Sequence, residues 1–153
     1  MFTAVQLQSA DDMPALREAA EEGQPEAMFL LGREYLVGRY VAQDSVEAMV
    51  WFENADASGS SSGTNALGVM YYEALGIEQD YEKAMGLFHA AVECDNNAKA
   101  MRNLGRMYEG GHGTPVDYAE AQKWYGFALE GAGDDEHLKR VLIEAIERVK
   151  AAE

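Results

Sequence analysis

The sequence predicts an all-α fold, an α-solenoid of stacked antiparallel helix hairpins with about three repeats, an N-terminal half-repeat and a C-terminal capping helix. Three observations carry this. The phrase Leu31-Gly32-x-x-Tyr35 returns as Leu67-Gly68-x-x-Tyr71 and Leu104-Gly105-x-x-Tyr108, at spacings of 36 and 37 residues. At that period each unit buries its apolar face only against its neighbours. A second set keeps the same register: Ala48, Trp51, Phe52 and Ala55, then Ala84, Leu87, Phe88 and Ala91, then Ala121, Trp124, Tyr125 and Ala128. Their i, i+3, i+4, i+7 spacing puts each group on one helix face. The junction pairs Gly23-Gln24, Gly59-Ser60, Asn96-Asn97 and Gly133-Asp134 repeat the period a third time. Glycine or asparagine closes one helix in the left-handed conformation, and the residue after it opens the next.

Taken in order, residues 11–22, with Leu16, Ala19 and Ala20, form the second helix of an incomplete leading unit. The repeats follow at about 24–59, 60–96 and 97–133 in a single domain spanning 1–153. Their first helices lie near 24–37, 60–74 and 97–110, and their second helices near 44–58, 80–94 and 117–131. Asp44, Asp80 and Asp117 stand where the second helices need an N-cap, which accounts for all three without a catalytic role. Glu47 and Glu120 three residues on suggest a reciprocal capping box, and Lys83 departs from it. Gly32, Gly68 and Gly105 each cost about 1 kcal/mol against alanine in a helix, so a partner helix is expected to approach the backbone there. Residues 134–151 form the cap, with Leu138, Val141, Leu142, Ala145, Ile146 and Val149 buried and Lys139, Arg140, Glu144, Glu147, Arg148 and Lys150 solvated.

Charge and composition set outer limits. Lys and Arg number 12 against 27 Asp and Glu, a net charge of −15. Such a field repels phosphate backbones and argues against nucleic acid as a partner. It favours a basic protein surface, or serves solubility alone. The start at residues 1–8 lacks the basic and apolar runs of a signal peptide, and no run of 18 apolar residues predicts a membrane span. Cys94 is the one cysteine, so no internal disulfide forms and a cytoplasmic setting is expected.

The repeated phrase, the short glycine-containing loop, the capping aspartate, Lys-Ala or Glu-Ala, and the aromatic pair before alanine together resemble the Sel-one-like repeat family, a branch of the tetratricopeptide-like superfamily. The third unit carries the pattern most fully, from Leu104-Gly105-Arg106-Met107-Tyr108 through Gly110-Gly111-His112-Gly113 to Asp117, Ala121, Trp124 and Tyr125. Residues 12–133 are covered. Tyr40 replaces the loop glycine present as Gly76 and Gly113, Leu87 replaces a tryptophan, and Ser60-Ser61-Ser62-Gly63 is an unusually polar helix start. The resemblance implies a right-handed solenoid acting as adaptor, regulator or scaffold, with a concave surface lined by the first helices and no chemistry of its own.

Helical spacing places Phe29, Leu30, Arg33, Leu36 and Val37 on that surface in the first unit. Asn65, Ala66, Val69, Tyr72 and Glu73 follow in the second, and Lys99, Arg102, Asn103, Arg106 and Glu109 in the third. The expected groove runs from apolar to basic, taking an apolar segment at one end and a carboxylate, acidic side chain or chain terminus at the other. Arginine suits the latter by paired hydrogen bonds. Two alternatives stay open: Arg102 and Arg106 pair with acids such as Glu109, and the leading unit covers Phe29 and Leu30.

No constellation for catalysis, metal or cofactor emerges. His89, His112 and His137 are dispersed, Gly110-Gly111-His112-Gly113 lacks the lysine and hydroxyl of a phosphate loop, and Cys94 has no activating base. The reading is a non-enzymatic module, monomeric or weakly dimeric, that binds a protein or peptide through its concave face. The second reading is an immunity protein that neutralises a basic toxin.

Overall fold

The computed structural model describes residues 7–153, and all regular elements in them are helices. Residues 1–6, most of the stretch expected not to be a leader, lie outside the described residues. A 3-10 turn at Ala10–Asp12 leads into α1 (Met13–Glu21). Then come α2 (Pro25–Val37), α3 (Ser45–Ala57), α4 (Ser61–Glu73), α5 (Tyr81–Asp95), α6 (Ala98–Gly110), α7 (Tyr118–Glu130) and α8 (Glu136–Ala152). Every expected helix is present. The chain divides into two compact units, one ending at Gln79 and one spanning Asp80–Glu153.

Capping explains why the helices start where they do. The Asp44 carboxylate accepts from the backbone N–H of Val46 and Glu47 at 3.0 and 3.1 Å, Asp80 from Lys83 at 2.9 Å, and Asp117 from Glu120 at 2.9 Å. The reciprocal capping box expected at Glu47 and Glu120 does not form, for a physical reason. The N–H groups of Asp44 and Asp117 already donate to the carbonyls of Tyr35 and Tyr108, each at 2.9 Å, so no donor is left for the glutamate. Glu120 turns instead to Lys123 at 3.0 Å. The cap of α8 is Asp135, one residue beyond the expected Asp134, and accepts from Leu138 at 2.8 Å.

At the other ends, Gly23, Gly59, Asn96 and Gly133 all take positive φ, as the junction pattern predicts. Gly38 and Gly111 close α2 and α6 with φ of 72° and 66°, whereas their counterpart after α4 is Ala74 at φ 55°. A Cβ in that conformation costs about 1–2 kcal/mol.

In the N-terminal unit α1 packs on α2, α2 on α3 and α3 on α4. Leu16 and Ala20 of α1 are fully enclosed against Ala27, Leu30 and Leu31 of α2. The polar opening of α4 suits its packing, because small residues admit a close neighbour. Ser61, Gly63 and Thr64 are buried, and a Cβ on Gly63 would fall 2.6 Å from that of Ala55. The Thr64 hydroxyl donates to the Asp56 carboxylate.

In the C-terminal unit α5 packs on α6, α6 on α7 and α7 on α8. Its core joins Met101, Ala121, Tyr125 and Ala128 to Leu138, Leu142, Ala145 and Val149 of the capping helix. Two of the three helical glycines show their reason directly. A Cβ on Gly32 would sit 2.7 Å from the Phe52 ring, and one on Gly105 would sit 2.5 Å from the Tyr125 ring.

Candidate functional site

Comparing repeats position by position isolates what the scaffold does not need. Phe52, Phe88 and Tyr125 fill one register position and all are buried, but only Tyr125 carries a hydroxyl. Glu109 stands where the other repeats have Leu36 and Tyr72, and Arg102 where they have Phe29 and Asn65. These departures meet within the C-terminal unit. The Tyr125 hydroxyl donates to Glu109 Oε2 at 2.6 Å, and Arg148 of α8 forks onto the same carboxylate, Nε to Oε1 at 2.5 Å and a terminal nitrogen to Oε2 at 2.9 Å. Paired, charge-assisted bonds of this kind fix geometry as well as charge.

The electrostatics follow. Hydrogen bonding from Arg148 first, and then from Tyr125, holds the Glu109 carboxyl below the usual carboxylate range. Burial and the Glu109 carboxylate push the Tyr125 phenol upward, and Glu109 raises Arg148. Arg102 behaves oppositely. Burial, reinforced by the neighbouring Arg106 charge, lowers its pKa, and among the described residues it has no ion-pair partner.

Arg102, Arg106 and Arg148 line a concavity of about 180 Å³, with Tyr125, Val141, Glu144 and Ala145 completing the wall. Three guanidinium groups therefore border one small space. Glu144 shares the wall, and Arg148 is paired with Glu109.

The residues expected from sequence separate into three groups. Arg102 and Arg106 share the concavity, while Lys99, one turn earlier on α6, is exposed. Leu30, Tyr72 and Asn103 are corrected: they are 6%, 8% and 6% exposed and turn into the fold, so they present no surface. For Leu30 the cause is α1, which packs over it. Phe29, Arg33, Asn65 and Val69 are half-buried in the N-terminal unit. There Arg33 lies 6.0 Å over the Phe29 ring and 3.8 Å from Glu34, a buried carboxylate that also holds Arg39 at 2.6 Å. Glu34 replaces the methionines found at Met70 and Met107, so the Arg33 charge faces a built-in anion.

Arg148 and Tyr125 are what the sequence reading missed, one assigned to the solvated face and the other to the core. The signal was available as the Phe-to-Tyr change in register with an acidic Glu109. The suggested pairing of Arg102 with Glu109 gives way to Arg148, which takes both carboxylate oxygens.

A second concavity of about 540 Å³ is lined by Val92, Met101, Trp124 and Phe127. It is mainly apolar, and the Trp124 indole N–H is buried beside it without a partner among the described residues. No group of His, Cys, Asp or Glu among the described residues is arranged to hold a metal ion. No helix among them is long and apolar enough to cross a membrane.

Comparison with known proteins agrees with the repeat geometry. The chain is 33% identical over 87 residues to the ERAD-associated E3 ubiquitin-protein ligase component HRD3B of Arabidopsis thaliana, covering 57% of this chain and 14% of the relative. It is likewise 33% identical over 87 residues to human protein sel-1 homolog 2, covering 57% and 13%. The chain thus spans about one seventh of the length of these curated relatives. Among solved structures, c5321 of uropathogenic Escherichia coli, a protective antigen displaying an SLR fold, superposes with TM-score 0.72 at 33% identity, over 80% of this chain and 26% of that one. A Sel1 repeat protein from Oxalobacter formigenes gives 0.70 at 27% identity, over 83% and 50%. The Sel1 repeat profile matches residues 25–58, 61–96 and 98–131, in step with the repeat period, and the chain belongs to the Sel1 repeat family.

Proposed function

We propose that the chain is an adaptor or regulatory module without chemistry of its own, and that the α6–α8 face of its C-terminal unit receives an acidic segment of a partner protein. The observation that carries this reading is Arg102. A partly buried guanidinium with no ion-pair partner among the described residues is unfavourable in isolation, because its desolvation is not offset. The arrangement is suited to an anion brought by a partner. Lys99 and Arg106 extend the positive stripe along the helix.

Membership of a family with a relative named as a component of a ligase assembly supports the adaptor role. A basic toxin has only the net charge of −15 in its favour, and the arginine-lined concavity points to the opposite ligand sign. The single exposed cysteine fits a cytoplasmic setting.

The test is fluorescence anisotropy with a labelled decapeptide of alternating aspartate and leucine ending in a free carboxylate. Binding should weaken steeply with added salt. The paired reversal Lys99→Glu and Arg106→Glu should reduce affinity at least about tenfold with the melting temperature retained. Equal affinity of that folded variant would overturn the reading.

A further inference from the structure

We infer that the concavity of about 540 Å³ lined by residues of α5, α6 and α7 is a site for a quaternary ammonium group, seated against the rings of Trp124 and Phe127 with the Glu130 carboxylate on the same wall. It shares no lining residue with the arginine-bordered concavity and takes a ligand of opposite charge, so it stands or falls independently of the acidic-segment reading.

Part of this site is scaffold and part is not. Trp124 has Trp51 in its register, and the indole N–H of both is without a partner among the described residues, so that feature belongs to the repeat. Phe127 differs: the other repeats have Asn54 and Ala90 there, and its ring is exposed. It stands nearly perpendicular to the indole, with ring centroids 5.9 Å apart at 83°. The indole also meets His89, at 5.5 Å between centroids. The inner corner of a T-shaped pair is bounded by the faces of both rings, and ring faces carry the negative part of the quadrupole that attracts a cation. Val92 and Met101 add apolar wall suited to the alkyl groups around the charge.

Three further features set the sign of that charge. Glu130 lines the space and forms no ion pair among the described residues. Asn96 and Gly131, also on the wall, are the residues that close α5 and α7, so the negative dipole ends of two helices border the space. Neither helix carries a basic residue in its last turn, and no basic side chain lines the space. Hydrogen bonding then narrows the kind of cation. A primary ammonium or a guanidinium brings several N–H donors that need acceptors. The carbonyls of Val92 and Phe127 already accept from the N–H groups of Asn96 and Gly131 at 2.8 and 3.0 Å, so the side-chain acceptors on the wall are Glu130 and Asn96. A quaternary ammonium has no N–H to satisfy. Its alkyl groups and the chain that carries them fit a space within the usual range of small-ligand sites.

The test is an NMR titration of the full chain that follows the Trp124 indole N–H and Met101 methyl signals. Choline is compared with its uncharged carbon isostere 3,3-dimethylbutan-1-ol, and N-acetyl-trimethyllysine amide with N-acetyl-lysine amide. Both quaternary probes should shift the two signals in a saturable way and bind at least about tenfold more tightly than their counterparts. Trimethyllysine binding tighter than choline points to a methylated side chain of a partner, and choline binding as tight or tighter points to a free cation; both outcomes support the site. Phe127→Leu should weaken choline at least about fivefold with the melting temperature retained, and Glu130→Gln should weaken it about threefold. Equal binding of the alcohol overturns the assignment to a cation, and equal binding of unmodified lysine overturns the quaternary group. Parent affinity in the folded Phe127→Leu variant overturns the aromatic corner. No saturable shift from either quaternary probe overturns the site as a whole.

Discussion

The substitution Gly105→Ala puts the packing account to a quantitative test, because helix propensity and tertiary packing predict opposite signs. In a helix interior, alanine is favoured over glycine by about 1 kcal/mol. At Gly105, however, the new Cβ would lie 2.5 Å from Tyr125 Cε1 and 2.6 Å from Cδ1, where ordinary carbon contacts are about 3.5–4.0 Å. The ring must therefore retreat by about 1 Å, and it is 1% exposed and tied at its hydroxyl to Glu109. Overpacking of this kind costs about 1–3 kcal/mol. The hydroxyl tether places Gly105→Ala in the upper part of that range, so after the propensity gain a net loss of about 1–2 kcal/mol remains.

Gly126 supplies the internal control. It lies within α7 of the same unit, and a Cβ there would meet nothing within 4 Å. Gly126→Ala should therefore gain about 1 kcal/mol. At about 2–4 °C per kcal/mol for a chain of this size, the two variants should melt about 5–10 °C apart on opposite sides of the parent. Circular dichroism melts and urea midpoints read this directly. If Gly105→Ala melted with or above Gly126→Ala, the close approach of α7 to α6 would be refuted.

Other consequences are open to the same instruments. Ala74→Gly should raise stability by about 0.5–1 kcal/mol, since it removes a Cβ from a left-handed cap that Gly38 and Gly111 fill without strain; an unchanged urea midpoint would count against it. Arg39→Ala should lower the melting temperature by leaving the Glu34 carboxylate without its partner at 2.6 Å, and adding Glu34→Met, the residue type of the other two repeats, should restore it. No recovery in the double variant would sink that argument. The Glu109 pKa is depressed in the fold, so its contribution is fully present above the ordinary carboxylate pKa and is lost as pH falls through the lowered native value. Melting temperature against pH should therefore drop more steeply on the acid side for the parent than for Glu109→Gln, and parallel curves would contradict the Arg148 fork.

Nearly the whole scaffold was legible because repetition makes the same physical demand three times. Leu31, Leu67 and Leu104 mark one face, Phe52, Phe88 and Tyr125 the opposing one, and the capping aspartates mark where each second helix begins. The errors came where a local pattern has a non-local competitor. The capping box was lost because the Tyr35 and Tyr108 carbonyls claim the donor first, and Leu30 was lost to a leading helix whose packing the repeat does not encode. The candidate site was half legible. Arg102 and Arg106 share a helix face and could be found by spacing, whereas Arg148 lies 39 residues from Glu109 and meets it only after α8 has packed. A sequence period reports neighbours within a unit, not which cap residue reaches across to them.

The claim at the centre of this account is that partner binding resides in the unlike residues of the third repeat and its cap. The most direct measurement is a crystal structure of the chain with the acidic decapeptide bound. The account predicts a peptide carboxylate within hydrogen-bonding distance of Arg102, with the Glu109–Arg148 fork intact behind it. Peptide density elsewhere, with Arg102 turned onto Glu144, would contradict it.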